Sequence, residues 1–198
     1  MKLRSDLALV RDLVPRCSRV LDLGCENGEL LEALFAERQC RGTGVEIDPD
    51  AVLGAISRGV PVIELDIDRQ LNQFGDKSYD VVVLSRTIQT IRRPESVLQE
   101  MARIGGLLIV SVPNFGWWGH RLRLLRGRMP MSKELPYEWY NTPNLRFTTL
   151  DEIEQLFVKC RLTIERRITL GIHGDRRHGL DAWANWQAGA AIYALRAA

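Results

Sequence analysis

From Arg19 to Val112 the chain alternates short apolar runs with stretches whose apolar residues recur at helical spacing, and this rhythm leaves few folds open. The runs are Arg19–Leu23, Gly44–Ile47, Pro61–Leu65, Tyr79–Leu84 and Leu107–Val112. Between them, Glu29–Arg38 gathers Leu30, Leu31, Leu34 and Phe35 on one side, and Pro94–Ile104 gathers Val97, Leu98 and Met101. A further helix opens at Asp48-Pro49, with Asp48 placed as N-cap and Pro49 at the first helical position. Strands that are apolar throughout are buried on both faces, as in a parallel sheet covered by helices on each side. Ahead of this pattern, Leu3, Leu7, Val10 and Val14 predict a helix that Pro15 stops.

Beyond residue 112 the rhythm changes. The stretch from Pro113 to Leu145 holds four prolines, five of the nine Trp and Tyr residues, and a basic run from His120 to Arg128. A helix at Leu150–Lys159 and strands near Leu162–Leu170 and Ala190–Leu195 close the chain, with Gly171–Gln187 as loop or irregular helix. The expected fold class is α/β, a doubly wound, mostly parallel seven-stranded sheet with helices on both faces. The 198 residues show no repeat, linker or low-complexity tract, so one domain over 1–198 is expected, with an aromatic and basic insertion at about 113–145.

Composition narrows the partners. Lys+Arg number 27 against 25 Asp+Glu, a net charge of +2, too balanced for a protein whose affinity rests on neutralised phosphates. Nucleic acid is therefore not an expected partner. No apolar run approaches the roughly 18 residues of a membrane span, and the charged start, Met1 to Arg11, lacks a signal core. Cys17, Cys25, Cys40 and Cys160 make no C-x-x-C pair and are expected as buried free thiols. Together these features predict a cytoplasmic protein without a membrane partner.

The segment Val20-Leu-Asp-Leu-Gly-Cys-Glu-Asn-Gly28 is a strand, a turn and a helix start, and open α/β sheets bind ligands at such strand ends. A dinucleotide site would need G-x-G-x-x-G; the spacing here differs, and Glu26 would repel a pyrophosphate. No Gly-Lys-Ser/Thr is present for a P-loop. S-adenosylmethionine suits the charges better, because its sulfonium and ammonium outnumber its one carboxylate. Glu46, 18 residues after Gly28, ends strand two where it can accept from both ribose hydroxyls. Asp66 follows strand three, where it can accept from the adenine amine, and Asp22 ends strand one within reach of the turn. The candidate cofactor-binding set is Asp22, Gly24, Glu26, Gly28, Glu46 and Asp66, for S-adenosylmethionine or S-adenosylhomocysteine.

The turn Asp22-Leu-Gly-Cys-x-x-Gly28 and the Glu46 strand end resemble class I S-adenosylmethionine-dependent methyltransferases. Arg58-Gly-Val60, Leu84-Ser-x-Thr-x-Gln89, Arg93-Pro94, Pro113-Asn-Phe115, Gly127-Arg-Met-Pro130 and Leu135-Pro-Tyr-x-Trp-Tyr-x-Thr-Pro-Asn144 resemble, more closely, the methionine biosynthesis protein MetW family. The resemblance implies a methyltransferase-like fold, a role in methionine biosynthesis, and partnership with a homoserine O-acyltransferase that needs this protein for full activity. It implies no methyl acceptor. The chain departs from the family at Glu26, where glycine is usual, bringing a carboxylate toward the ligand's methionyl carboxylate. It departs again at Arg86, where glutamine is usual; Arg86 could anchor a carboxylate, and facing solvent is the expected reading.

Ser85, Arg86, Gln89, Pro113, Asn114 and Phe115 are the residues expected around a transferred methyl. No acid/base pair or triad stands out among them, and no catalytic residue is assigned. Cys25 is expected to pack beneath the turn instead of acting as a thiolate. His173, His178 and Asp181 lie among glycines and arginines, a poor frame for a metal. His120, Arg121, Arg123, Arg126, Arg128 and Lys133 predict one basic face, framed by Trp117, Trp118, Tyr137, Trp139 and Tyr140. Trp, Tyr and Arg are the residues enriched at interface hot spots. Partner binding is therefore expected at Trp117, Trp118, Arg121, Arg128, Tyr137, Trp139 and Tyr140. The same segment as the lid of a small-molecule methyltransferase is the alternative.

Overall fold

Helix α1 (Ser5–Leu13) leads into strand β1 (Arg19–Leu23), helix α2 (Glu29–Arg38) and strand β2 (Arg41–Glu46). Helix α3 (Pro49–Ser57), strand β3 (Val62–Glu64), strand β4 (Tyr79–Ser85), helix α4 (Pro94–Ile104) and strand β5 (Gly105–Pro113) follow. After helix α5 (Trp118–Leu125) come helix α6 (Leu150–Lys159), strand β6 (Leu162–Leu170), strand β7 (Arg176–Arg177), helix α7 (Ala184–Gln187) and strand β8 (Ala190–Ala197). This computed structural model describes residues 3–132, 135–172, 174–177 and 183–197.

The sheet order is β3-β2-β1-β4-β5-β8-β6-β7. Strands β1 to β5 run parallel, and β8 enters antiparallel between β5 and β6. The seven expected strands are present, with one addition. The two-residue β7 pairs with Thr169 and Leu170 at the edge, inside the segment expected to be irregular. The strands shift slightly from expectation: β2 begins at Arg41 and β3 keeps only Val62–Glu64.

Both faces of the central strands are covered, and β4 shows why its run Val81–Leu84 is continuously apolar. Val82 and Leu84 face one core with Val97, Leu98 and Met101 of α4 and Ile153 and Phe157 of α6. Val81 and Val83 face the other with Leu7 and Val10 of α1, Leu30, Leu31 and Leu34 of α2, and Ala55 of α3. Each fully buried Leu, Ile or Val contributes roughly 1.5–3 kcal/mol, so the sheet is a rigid platform for the loops at its carboxyl edge. Asp48 caps α3 as expected, its side chain accepting from the Asp50 N–H at 2.9 Å. Three of the four thiols are buried; Cys17 is exposed, because it occupies a left-handed surface turn between α1 and β1 (φ 61°).

Candidate functional site

The turn after β1 is fixed from two sides. The N–H groups of Gly24 and Cys25 donate to the Val45 carbonyl at 2.8 and 3.1 Å, tying the turn to β2. Gly24 has φ +72°, and a Cβ there would stand 2.5 Å from Thr87 Oγ1, so only glycine fits beneath the loop after β4. Glu26 also takes a left-handed conformation, φ 48°, which costs a residue with a side chain about 1–2 kcal/mol.

Glu46 straps this turn to the strand beside it. One carboxylate oxygen accepts the Glu26 N–H at 3.0 Å, and the other accepts the Ile47 and Asp48 N–H groups at 2.7 and 3.1 Å. Asp66 folds onto its own loop, accepting the Asp68 N–H at 2.9 Å, with Arg69 Nε 3.6 Å from its second oxygen. Asp22 differs from both. It is 2% exposed, and its Oδ1 is buried without a hydrogen-bond partner. Burial, with the nearby Glu26 and Glu46 carboxylates adding to it, pushes the Asp22 carboxyl up to about 7.

A cleft of about 210 Å³ opens along these strand ends. Val45, Ile47, Leu65, Ile67 and Ile91 give it apolar walls, while Gly24, Glu26, Glu46 and Asp66 supply its polar lining. A smaller cavity of about 20 Å³ adjoins it, lined by Asp22, Gly24, Cys25, Glu26 and Ser85, with Arg4 and Leu7 contributed from the α1 end. Five of the six cofactor-binding candidates thus meet in two neighbouring spaces. Gly28 lies in neither; it begins α2 at φ +75°, and a Cβ there would press on Val60 and Ala55 at 3.1–3.2 Å. Its role is to let α2 pack against α3 and the start of β3.

Arg86 does not face solvent as expected. Its Nε stands 2.8 Å from the carboxylate of Asp6, a residue of α1 only 1% exposed, and Arg4 Nε reaches the other Asp6 oxygen at 2.8 Å. Burying Asp6 demands cationic partners, and Arg86 provides one from the loop after β4. The result draws α1 over the smaller cavity, where Arg4 also comes within 3.9 Å of Glu26. Cys25 packs under the turn, and burial with Asp22 and Glu46 nearby pushes its thiol up to about 12, so it is no thiolate at neutral pH. Asn114 is wholly buried and spends its side chain on the Asn185 and Ala188 carbonyls and the Gly116 N–H. Among the described residues no cluster suits a metal ion; His173, His178 and Asp181 lie outside the described residues.

The second candidate region surrounds α5. Trp118, Tyr137, Trp139 and Tyr140 are exposed, Trp139 and Tyr140 to 68% each. Trp117 is half-buried, its ring 5.3 Å from Trp118 and 5.1 Å from His120. Arg128 is exposed, whereas Arg121 donates to the Gly116 carbonyl at 2.6 Å and lies 5.0 Å over the Trp186 ring. His120 does not join the basic face. It is 1% exposed, with Nδ1 3.2 Å from the Asn114 carbonyl, and burial lowers its pKa so that it is neutral near pH 7. Lys133 lies outside the described residues. Sequence reasoning missed Trp183 and Trp186, exposed to 67% and 47%; Trp186 joins the aromatic surface through its contact with Arg121. Their i, i+3 spacing was the available signal.

The family model described as methionine biosynthesis protein MetW matches residues 4–195. The chain belongs to the MetW family. A relative from Rhodopirellula baltica named bifunctional methionine biosynthesis protein MetXA/MetW is 32% identical over 205 residues. That match takes in 98% of this chain but 33% of the relative, so this MetW-family chain spans about a third of it. A Mesorhizobium loti S-adenosylmethionine-dependent methyltransferase structure gives a TM-score of 0.72 at 14% identity, covering 98% of both chains. A Thermotoga maritima methyltransferase structure, described as a possible histamine N-methyltransferase, gives 0.69 at 21% identity, covering 98% of this chain and 88% of the other. The expected class I methyltransferase fold is thereby shown. No described helix is long and apolar enough to cross a membrane.

Proposed function

We propose that this MetW-family chain is a cytoplasmic accessory protein of methionine biosynthesis that binds and activates a homoserine O-acyltransferase, and that its cleft takes S-adenosylmethionine. The observation that carries the reading is the composite relative, whose name joins a MetXA part to a MetW part in one longer chain. Covalent fusion gives two units a high effective concentration; units that work together but are made separately must achieve it through an interface. The MetXA part is read here as the acyltransferase that the family resemblance implies. The exposed Trp118, Tyr137, Trp139, Tyr140 and Arg128 surface has the composition of such an interface. Trp117 and Arg121 support that surface from behind through their contacts with Trp118 and Trp186.

The residues present suit S-adenosylmethionine. Apolar walls beside Glu46 and Asp66 fit an adenosyl group, and the orphaned Asp22 Oδ1 fits a ligand ammonium. Bound there, the molecule is a methyl donor in enzymes and an end-product signal in a regulator. Beyond β4 and β5, on the side where a methyl acceptor would approach, the described residues pack closely around one small space. Gln89, Pro113, Phe115, Leu135 and Phe147 leave a cavity of about 10 Å³, room for one water at most. With Asn114 spent on backbone groups, this favours the accessory reading over a small-molecule methyltransferase. The test is co-elution of this chain with the acyltransferase, in native form and with Trp139→Ala and Tyr140→Ala. A stable complex weakened by both substitutions is expected; absence of a complex overturns the reading.

A further inference from the structure

The two cavities meet at the turn after β1, and Gly24 and Glu26 line both. A ligand with its adenosyl group in the larger space and only its ammonium in the smaller one, about 20 Å³ beside Asp22, brings its sulfur to this turn, near Glu26. This inference rests on the cofactor reading above. Two features single out residue 26. It holds a left-handed conformation that glycine adopts without penalty, so the side chain is kept against the backbone's preference. That side chain is 68% exposed, Arg4 stands 3.9 Å from it, and its removal would take little from the fold.

The charge balance around the sulfur path is negative. Glu26, Glu29, Glu46 and Asp66 line the two spaces, and the cations there, Arg4 and Arg86, each reach Asp6 at 2.8 Å. S-adenosylmethionine and S-adenosylhomocysteine differ at one point: the first has a cationic sulfonium where the second has a neutral thioether. A carboxylate at position 26 attracts the sulfonium and gains nothing from the thioether.

We propose that Glu26 is a specificity-determining residue that makes this site prefer S-adenosylmethionine over S-adenosylhomocysteine. Occupancy then reports the methyl donor itself, unconfused by its demethylated product. A ligand can shift an equilibrium only by its differential affinity, so a regulator reading the donor needs this discrimination. A glycine at the same position would leave it weaker.

The test is calorimetric titration of the native chain, Glu26→Gly and Glu26→Gln with each of the two nucleosides, at low and high salt. The native chain is expected to bind the sulfonium ligand roughly fivefold more tightly, an advantage that shrinks in high salt. Both variants should lose most of this ratio, because only S-adenosylmethionine loses the sulfonium attraction while both ligands shed the same repulsion on their shared carboxylate. Glu26→Gly relieves backbone strain, so its melting temperature should equal or exceed the native one, which separates specificity from folding. An unchanged ratio in Glu26→Gln, or tighter binding of the thioether by the native chain, overturns the inference alone. Failure of both nucleosides to bind the native chain overturns the cofactor reading and this inference with it.

Discussion

The Arg86 guanidinium meets the buried Asp6 carboxylate at 2.8 Å, joining two residues 80 positions apart and fixing α1 over the smaller cavity. Removing one partner of a buried pair leaves an uncompensated charge, although Arg4 still reaches Asp6. Arg86→Met should therefore lower stability by about 2 kcal/mol, measured by urea unfolding. The double variant with Asp6→Asn should recover part of that loss. Additive effects in the cycle would show that the pair is not coupled.

Glu46 has a double duty, since it accepts three backbone N–H groups and lines the cleft. Glu46→Ala should weaken S-adenosylmethionine by at least about tenfold, the scale of a hydrogen bond to a charged acceptor. It should also lower the melting temperature, because the Glu26 N–H loses its partner. Unchanged nucleoside affinity in this variant would remove Glu46 from the site.

Asp22 gives the site a pH dependence. Its carboxyl is raised from 3.8 to about 7 by burial, then by Glu26 and Glu46, with Arg4 and Glu29 lining the same cavity. The native state therefore holds this proton more tightly than the unfolded chain does. Stability should fall as pH rises from about 4 to about 7 and then level off, and Asp22→Asn should flatten that slope. Binding of a cationic ligand has the opposite sign, since it favours the ionised carboxylate. Affinity for S-adenosylmethionine should rise through pH 7, with proton release on binding below it, both measurable by calorimetry in buffers of differing ionisation enthalpy.

On the aromatic surface, exposure separates affinity from stability. Trp139→Ala should weaken binding to the acyltransferase by about 2 kcal/mol, roughly thirtyfold in Kd. It should leave the melting temperature within a degree or two, since the ring is 68% exposed. Trp117→Ala should lower stability as well, because this ring packs on His120 and Trp118. Equal loss of stability in both variants would mark the surface as core and not interface.

The sheet was legible in the sequence because a doubly covered strand such as β4 is apolar at each of its buried positions, Val81 to Leu84, a pattern that short-range chemistry dictates. The positions of the strand-end carboxylates were legible too, since Asp22 and Glu46 lie in the last two positions of β1 and β2, and Asp66 comes two residues after β3. What escaped was long-range. Nothing near Arg86 announces Asp6, and nothing near His120 shows that Asn114 and the half-buried Trp117 enclose it in the core. The edge strand β7 owes its existence to pairing with β6, since two residues carry no periodicity of their own. Glu26 was visible as a departure from glycine, but its left-handed backbone and its place between two cavities emerged only from the fold.

The most direct test of the accessory role is homoserine acylation by the acyltransferase of the same organism, with and without this chain at equal concentration. The rate is expected to rise at least about fivefold on addition, the lower end of ordinary coupling between sites. That rise should be lost with Trp139→Ala at concentrations below the weakened Kd. An unchanged rate, with no co-elution of the two proteins, would contradict the accessory role and leave the cleft to a methyl transfer of its own.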